Sequence, residues 1–169
     1  RGDLMSKSSL YHYFVEVWLT SKSDTMIFPV AEAAWGRLKR AFTDKREGFF
    51  IFATRDGRTL AMNLAYVHMA RFSREVSVIE EEISEESSSK VTLCFLEREP
   101  ESFNVDDPVD LANAFTTLKS TVERQSLSFT DLDGQMVMLF TDELVLIEAS
   151  TVFVEEGFLR IHKAKKSNG

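Results

Sequence analysis

The chain holds one cysteine, three prolines, three histidines and seven glycines among 169 residues. A single cysteine, Cys94, excludes an internal disulfide and a cluster of thiolate metal ligands. No apolar run of about 18 residues occurs, so no transmembrane helix is expected. Residues 1–9 lack the apolar stretch of a signal peptide, and Met5 is a candidate for the native first residue. These features lead to the expectation of a reducing, cytoplasmic compartment and no membrane partner.

Signatures of chemistry are missing as well. His12, His68 and His162 stand alone, without a second His or a Cys at zinc-ligand spacing. The glycines form no G-x-G-x-x-G or G-x-x-x-x-G-K phosphate loop, and there is no G-x-S-x-G elbow. Asp131-Leu132-Asp133-Gly134 resembles a fragment of a calcium loop. With Gly134 in the glycine position, however, Phe129 and Phe140 fall where oxygen ligands are needed. Cys94 alternates with Leu93 and Phe95, which places it on the other face of a strand as a structural thiol. The sequence therefore gives no catalytic, cofactor-binding or metal-ligating residue, and a non-enzyme is expected.

What is present is material for a core. Hydrophobic residues make up 44%, charged residues 28%, and there are 14 Phe. Charge is unevenly spread, summing to +4 over residues 1–75, -15 over 76–159 and +4 over 160–169. Such a division suits a partner-binding surface or head-to-tail pairing of copies.

A weak internal repeat recurs at about 77 residues. Phe50, Phe52, Leu60 and Met62 alternate around Asp56-Gly57, as Leu127, Phe129, Val137 and Leu139 do around Asp133-Gly134. Period-two alternation about Asp-Gly predicts two β-hairpins. A helical stripe precedes each: Ala31, Ala34, Trp35, Leu38 and Phe42, then Leu111, Ala114, Phe115, Leu118 and Val122. Asp107 is the expected N-cap of the second helix, with Pro108 as its first residue. Strands are expected upstream at Val15–Leu19 and Val91–Phe95, and downstream at Val76–Ile79 and Val152–Val154.

The resulting expectation is an α+β fold, predominantly antiparallel β with two amphipathic helices. It is a tandem pseudo-twofold repeat of the order strand-strand-helix-hairpin-strand. Residues 10–79 form the first unit, 80–89 an acidic Ser-rich linker and 90–162 the second, the two packed as one body. The helix-then-hairpin order followed by Asn63-Leu64 resembles small bacterial proteins of unassigned function, and implies no site residue.

Three functional expectations follow. The first is a protein-interaction or assembly module, which self-association would suit because hairpin edges need covering. The second is nucleic-acid binding through a basic patch of Arg37, Lys39, Arg40, Lys45, Arg46, Arg55 and Arg58. The third is a small-ligand pocket or enzyme site between the repeats, lined by groups such as Tyr66 or His68.

Overall fold

The computed structural model describes residues 11–76, 87–120 and 123–168. Alternation of apolar residues makes strand β1 (Tyr11–Leu19), with Tyr13, Val15, Val17 and Leu19 all buried on one face. It pairs antiparallel with β2 (Met26–Val30) on one side and β5 (Val67–Val76) on the other. Pro29 sits in β2, and helix α1 (Glu32–Thr43) follows directly. Glu32 lies in its first turn and Arg40 in its last, each complementing the helix dipole. Strands β3 (Phe49–Ala53) and β4 (Arg58–Asn63) form the first hairpin, and a 3-10 turn (Leu64–Tyr66) leads into β5.

The same order of elements recurs. Strands β6 (Lys90–Phe95) and β7 (Glu101–Asn104) precede helix α2 (Pro108–Ser120). The hairpin of β8 (Ser126–Thr130) and β9 (Met136–Phe140) follows, then β10 (Leu144–Ser150). As the sequence predicts, Pro108 opens α2, and the Asp107 carboxylate accepts a hydrogen bond from the Val109 amide at 2.9 Å. In both hairpins the glycine alone takes positive φ, Gly57 at 90° and Gly134 at 80°. Each loop is thus three residues closed by a left-handed glycine. The paired amides are Thr54 to the Arg58 carbonyl at 2.7 Å and Asp131 to the Gln135 carbonyl at 2.9 Å.

The class is mixed α+β with mostly antiparallel strands, and the described residues hold three helices rather than the two expected. Residues Val152–Val154, expected as a strand, are the first turn of α3 (Thr151–Ser167). Phe153, Val154 and Gly157 are buried together, which is helical spacing. The strand expected there lies earlier, as β10. The end of the Val76–Ile79 candidate, Val122 and most of the 80–89 linker lie outside the described residues.

Strand pairing explains how the halves join. In order, β2-β1-β5 form one sheet, β3-β4-β10-β6-β7 a second and β8-β9 a third. Single bridges, Val30 to Thr54 and Val105 to Asp131, link β2 to β3 and β7 to β8. Each half therefore runs β5-β1-β2-β3-β4 or its counterpart β10-β6-β7-β8-β9, and β4 meets β10.

These two are not counterparts in the order of elements, so the halves are offset along the sheet rather than matched strand for strand. Strand direction reverses at the antiparallel join, and so does the helical face. Leu60, Met62 and Leu146 belong to the core under α1, whereas Ala61, Ile147 and Ala149 belong to the core under α2 and α3. A half-turn combined with a shift along the sheet reproduces this, which is a screw rather than a twofold axis. Both halves pack on β10, whose Leu144, Val145, Leu146 and Ile147 are each at most 1% exposed.

Candidate functional site

The join is sealed by polar contacts at both ends. The Thr59 and Thr151 hydroxyls bond at 2.8 Å, and the Thr151 amide donates to the Gly57 carbonyl at 2.9 Å. Asn63 donates to the Leu144 carbonyl at 3.1 Å and accepts from the Ala65 amide, which accounts for the Asn63-Leu64 step. Tyr66 donates its hydroxyl proton to the Asp142 carbonyl at 2.7 Å. Tyr66 is thus engaged in holding the halves, and His68 is exposed on β5.

The seven basic residues of the expected patch do not act alike. Arg37 and Arg46 converge on one aromatic ring, with guanidinium carbons 5.7 and 5.5 Å from the Phe50 centroid. Lys39 lies over Trp35 at 4.8 Å, while Arg40 and Lys45 are exposed. Arg55 is half-buried at the first hairpin turn. Arg58 is already neutralised, 2.7 Å from Asp56 and 3.6 Å from Glu148. Burial pushes the Asp56 carboxyl upward, but hydrogen bonds from Arg58 and Thr54 outweigh it and hold it below the ordinary value. Burial also opposes the Arg58 charge, yet Asp56 and Glu148 raise its affinity for the proton above normal.

Arg37 and Arg46 also line a cleft of about 430 Å³ where the two halves meet. Lys119 of α2 supplies a third cation, and Phe50, Phe115 and Phe158 supply apolar walls. Among the described residues no acidic side chain lines it. Lys119 and Phe158 were not singled out in the sequence, because each gains meaning only once α2 and α3 are brought beside β3.

Cys94 sits in the core under α1, opposite Leu93, and burial pushes its thiol upward, so the thiolate is disfavoured. The Asp131 carboxylate accepts from the Asp133 and Gln135 amides at 3.0 and 2.8 Å, closing the hairpin turn rather than facing a cation.

A second surface lies at the ends of the strand order. Among the described residues β5 pairs only with β1, and β9 only with β8, so each leaves one row of backbone groups open. On β9, Val137 and Leu139 turn to the α2 core, while Met136, Met138 and Phe140 are 71%, 52% and 46% exposed. Their positional counterparts on β4 are Thr59, Ala61 and Asn63. Thr59 and Ala61 are buried, and Asn63 is bonded to β10. The sequence signal was present in the unbroken apolar run Met136–Phe140, which alternation alone does not explain. Comparison with protein-family models, with curated proteins and with solved structures gave no match.

Proposed function

We propose that this chain is a non-enzymatic protein-interaction module whose halves arose by duplication, and that it binds extended polypeptide along an open sheet edge. The observation that carries this reading is β9, an edge strand among the described residues, with Met136, Met138 and Phe140 exposed beside the side that no described strand pairs. Edge addition draws affinity from main-chain hydrogen bonds and selectivity from alternate side chains. Methionines suit such a surface because their flexible thioethers adapt to different partners.

The test is selection of random peptides on the immobilised full chain. Peptides with apolar residues at alternate positions are expected, and Met138→Lys should weaken their binding roughly tenfold, about 1.4 kcal/mol. A charge on the edge strand is a natural deterrent to pairing. Failure to enrich any peptide over a control surface would overturn the reading.

The cleft supports a second reading, binding of an anionic ligand or single-stranded nucleic acid. Three cations on aromatic walls with no acidic lining suit a phosphate attached to a flat ring. Arg37→Glu with Arg46→Glu should abolish oligonucleotide binding that weakens with salt, and Arg58→Gln should leave it nearly unchanged, because Arg58 is already paired. Equal loss in both variants would count against the cleft.

A further inference from the structure

The chain already contains one worked example of how its two kinds of edge fit together. Strand β4 of the first half lies antiparallel on β10 of the second, pairing Met62 with Leu146, Leu60 with Glu148 and Arg58 with Ser150. The positional counterpart of β4 is β9, and that of β10 is β5. Among the described residues both counterparts are unpaired on the side where their partners are joined. A closed twofold would have consumed equivalent edges in pairs. The screw relation instead leaves one edge of each kind, which are the two that the internal join shows to be complementary.

We infer that the partner of the β9 edge is a second copy of this chain, whose β5 adds to β9 by repeating the β4–β10 pairing. The inference rests on the reading of the chain as an interaction module and names its partner. Transposing the internal register sets Leu139 opposite Met69 of the next copy, Val137 opposite Arg71 and Gln135 opposite Ser73.

Alternation is preserved in that register. Leu139 and Val137 face the α2 core, as Met69 and Arg71 face away from the α1 core. Internally, Met62 faces the α1 core opposite Leu146. The next copy would cover Met136 and Met138 as β10, α2 and α3 cover Thr59 and Ala61.

Charge favours the same order. Residues 1–75 carry +4 and present Arg74 on β5 beside Arg71, which is 3.4 Å from Glu16, whereas residues 76–159 carry -15 and flank β9 with Asp131, Asp133 and Glu143, Asp142 being paired with Arg124. Pairing β9 with β9 would instead bring two acidic halves together. Because the contact is head to tail, every addition exposes a fresh β9 and a fresh β5, and growth stops only if the rotation closes a ring.

Sedimentation of the full chain over a concentration series, combined with cysteine trapping, tests this. The expected mass rises with concentration beyond two chains and falls with added salt. Mixing a Gln135→Cys chain with a Ser73→Cys chain should give a cross-linked pair on oxidation, since opposed strand residues lie within disulfide reach. Neither variant alone should link to itself. Both positions are exposed, so folding is not put at risk, and buried Cys94 gives little background. Met138→Lys, mixed in small amount, should shorten the oligomers.

A single-variant link, or a mass that stops at two without the mixed link, means like-with-like pairing and overturns the inference. A monomer at every concentration that still selects peptides overturns it too, and leaves the module reading standing. A monomer that selects none removes both.

Discussion

Two glycines carry opposite demands. Gly157 of α3 packs against α2 so closely that an added Cβ would stand 2.1 Å from the Pro108 carbonyl oxygen. That atom is backbone at the first turn of a helix and cannot swing aside. Gly157→Ala should therefore force α3 off α2, at about 1–3 kcal/mol or more, although alanine has the better helix propensity. Gly134 has open space around it but a φ of 80°. Gly134→Ala meets only backbone strain, about 1–2 kcal/mol. Urea denaturation of both variants should rank Gly157→Ala as the more damaging. The reverse order would mean that α3 does not seat on Pro108. Gly134 was legible in the sequence, because Asp-Gly between alternating apolar residues signals a turn. Gly157 was not, because close approach depends on a neighbour 49 positions away.

Asp56 adds a pH-dependent contribution at the same scale. Its folded-state pKa lies below the ordinary value, near 4 for an exposed aspartate. A depressed carboxyl stabilises the fold above its unfolded pKa, and that contribution is lost as pH falls through the folded one. Below about pH 4 the wild type should lose stability faster than Asp56→Asn, which has nothing left to protonate there. Parallel acid denaturation curves would show that the Thr54–Asp56–Arg58 turn is solvated too well to matter. The side chains are partly exposed, so the difference is small.

At the scale of elements, what could be read depended on how many faces each element buries. Helices α1 and α2 bury one stripe and β8 alternates, so their period revealed them, whereas β3 buries Phe49 and Phe50 in opposite cores and was marked by the Asp-Gly turn that follows it. Strand β10 buries both faces, so Leu144-Val145-Leu146-Ile147 shows no alternation to mark it as a strand. Helix α3 begins at Thr151 with no linker after β10, and its β-branched Thr151, Val152 and Val154 read as strand. Tertiary packing overrides that propensity, because Phe153 and Val154 enter the α2 core. Phe153→Ala should cost about 3–5 kcal/mol, whereas Leu159→Ala on the exposed side should cost little. A small effect of Phe153→Ala in thermal unfolding would mean that α3 is peripheral to the core. The candidate site shows the same limit. Arg37 and Arg46 were legible as part of a basic cluster, but their shared ring, Phe50, reads only as a strand residue until α1 is folded over it.

For the whole molecule, the join at β4 and β10 decides whether the halves are separable. A half of about 77 residues is near the lower bound for independent folding. Here neither half is complete. Removing the second exposes Leu60 and Met62 along β4, and removing the first strips Leu146 and Val145 of the core under α1. One face of β10 belongs to each core, so loss of either core leaves a central strand half bare and an apolar edge open. The chain should unfold in a single step.

Both tryptophans, Trp18 and Trp35, lie in the first half, whereas α2 and α3 carry much of the helical signal from the second. Tryptophan fluorescence and far-ultraviolet circular dichroism therefore watch different halves of one molecule. Their urea transitions should coincide. Leu146→Ala, which opens a cavity in the strand shared by both cores, should move the two together by about 2–5 kcal/mol of stability. If fluorescence is lost while the helical signal persists, the halves hold their own folds. The screw join is then an interface between independent units, which two separate chains could make equally well.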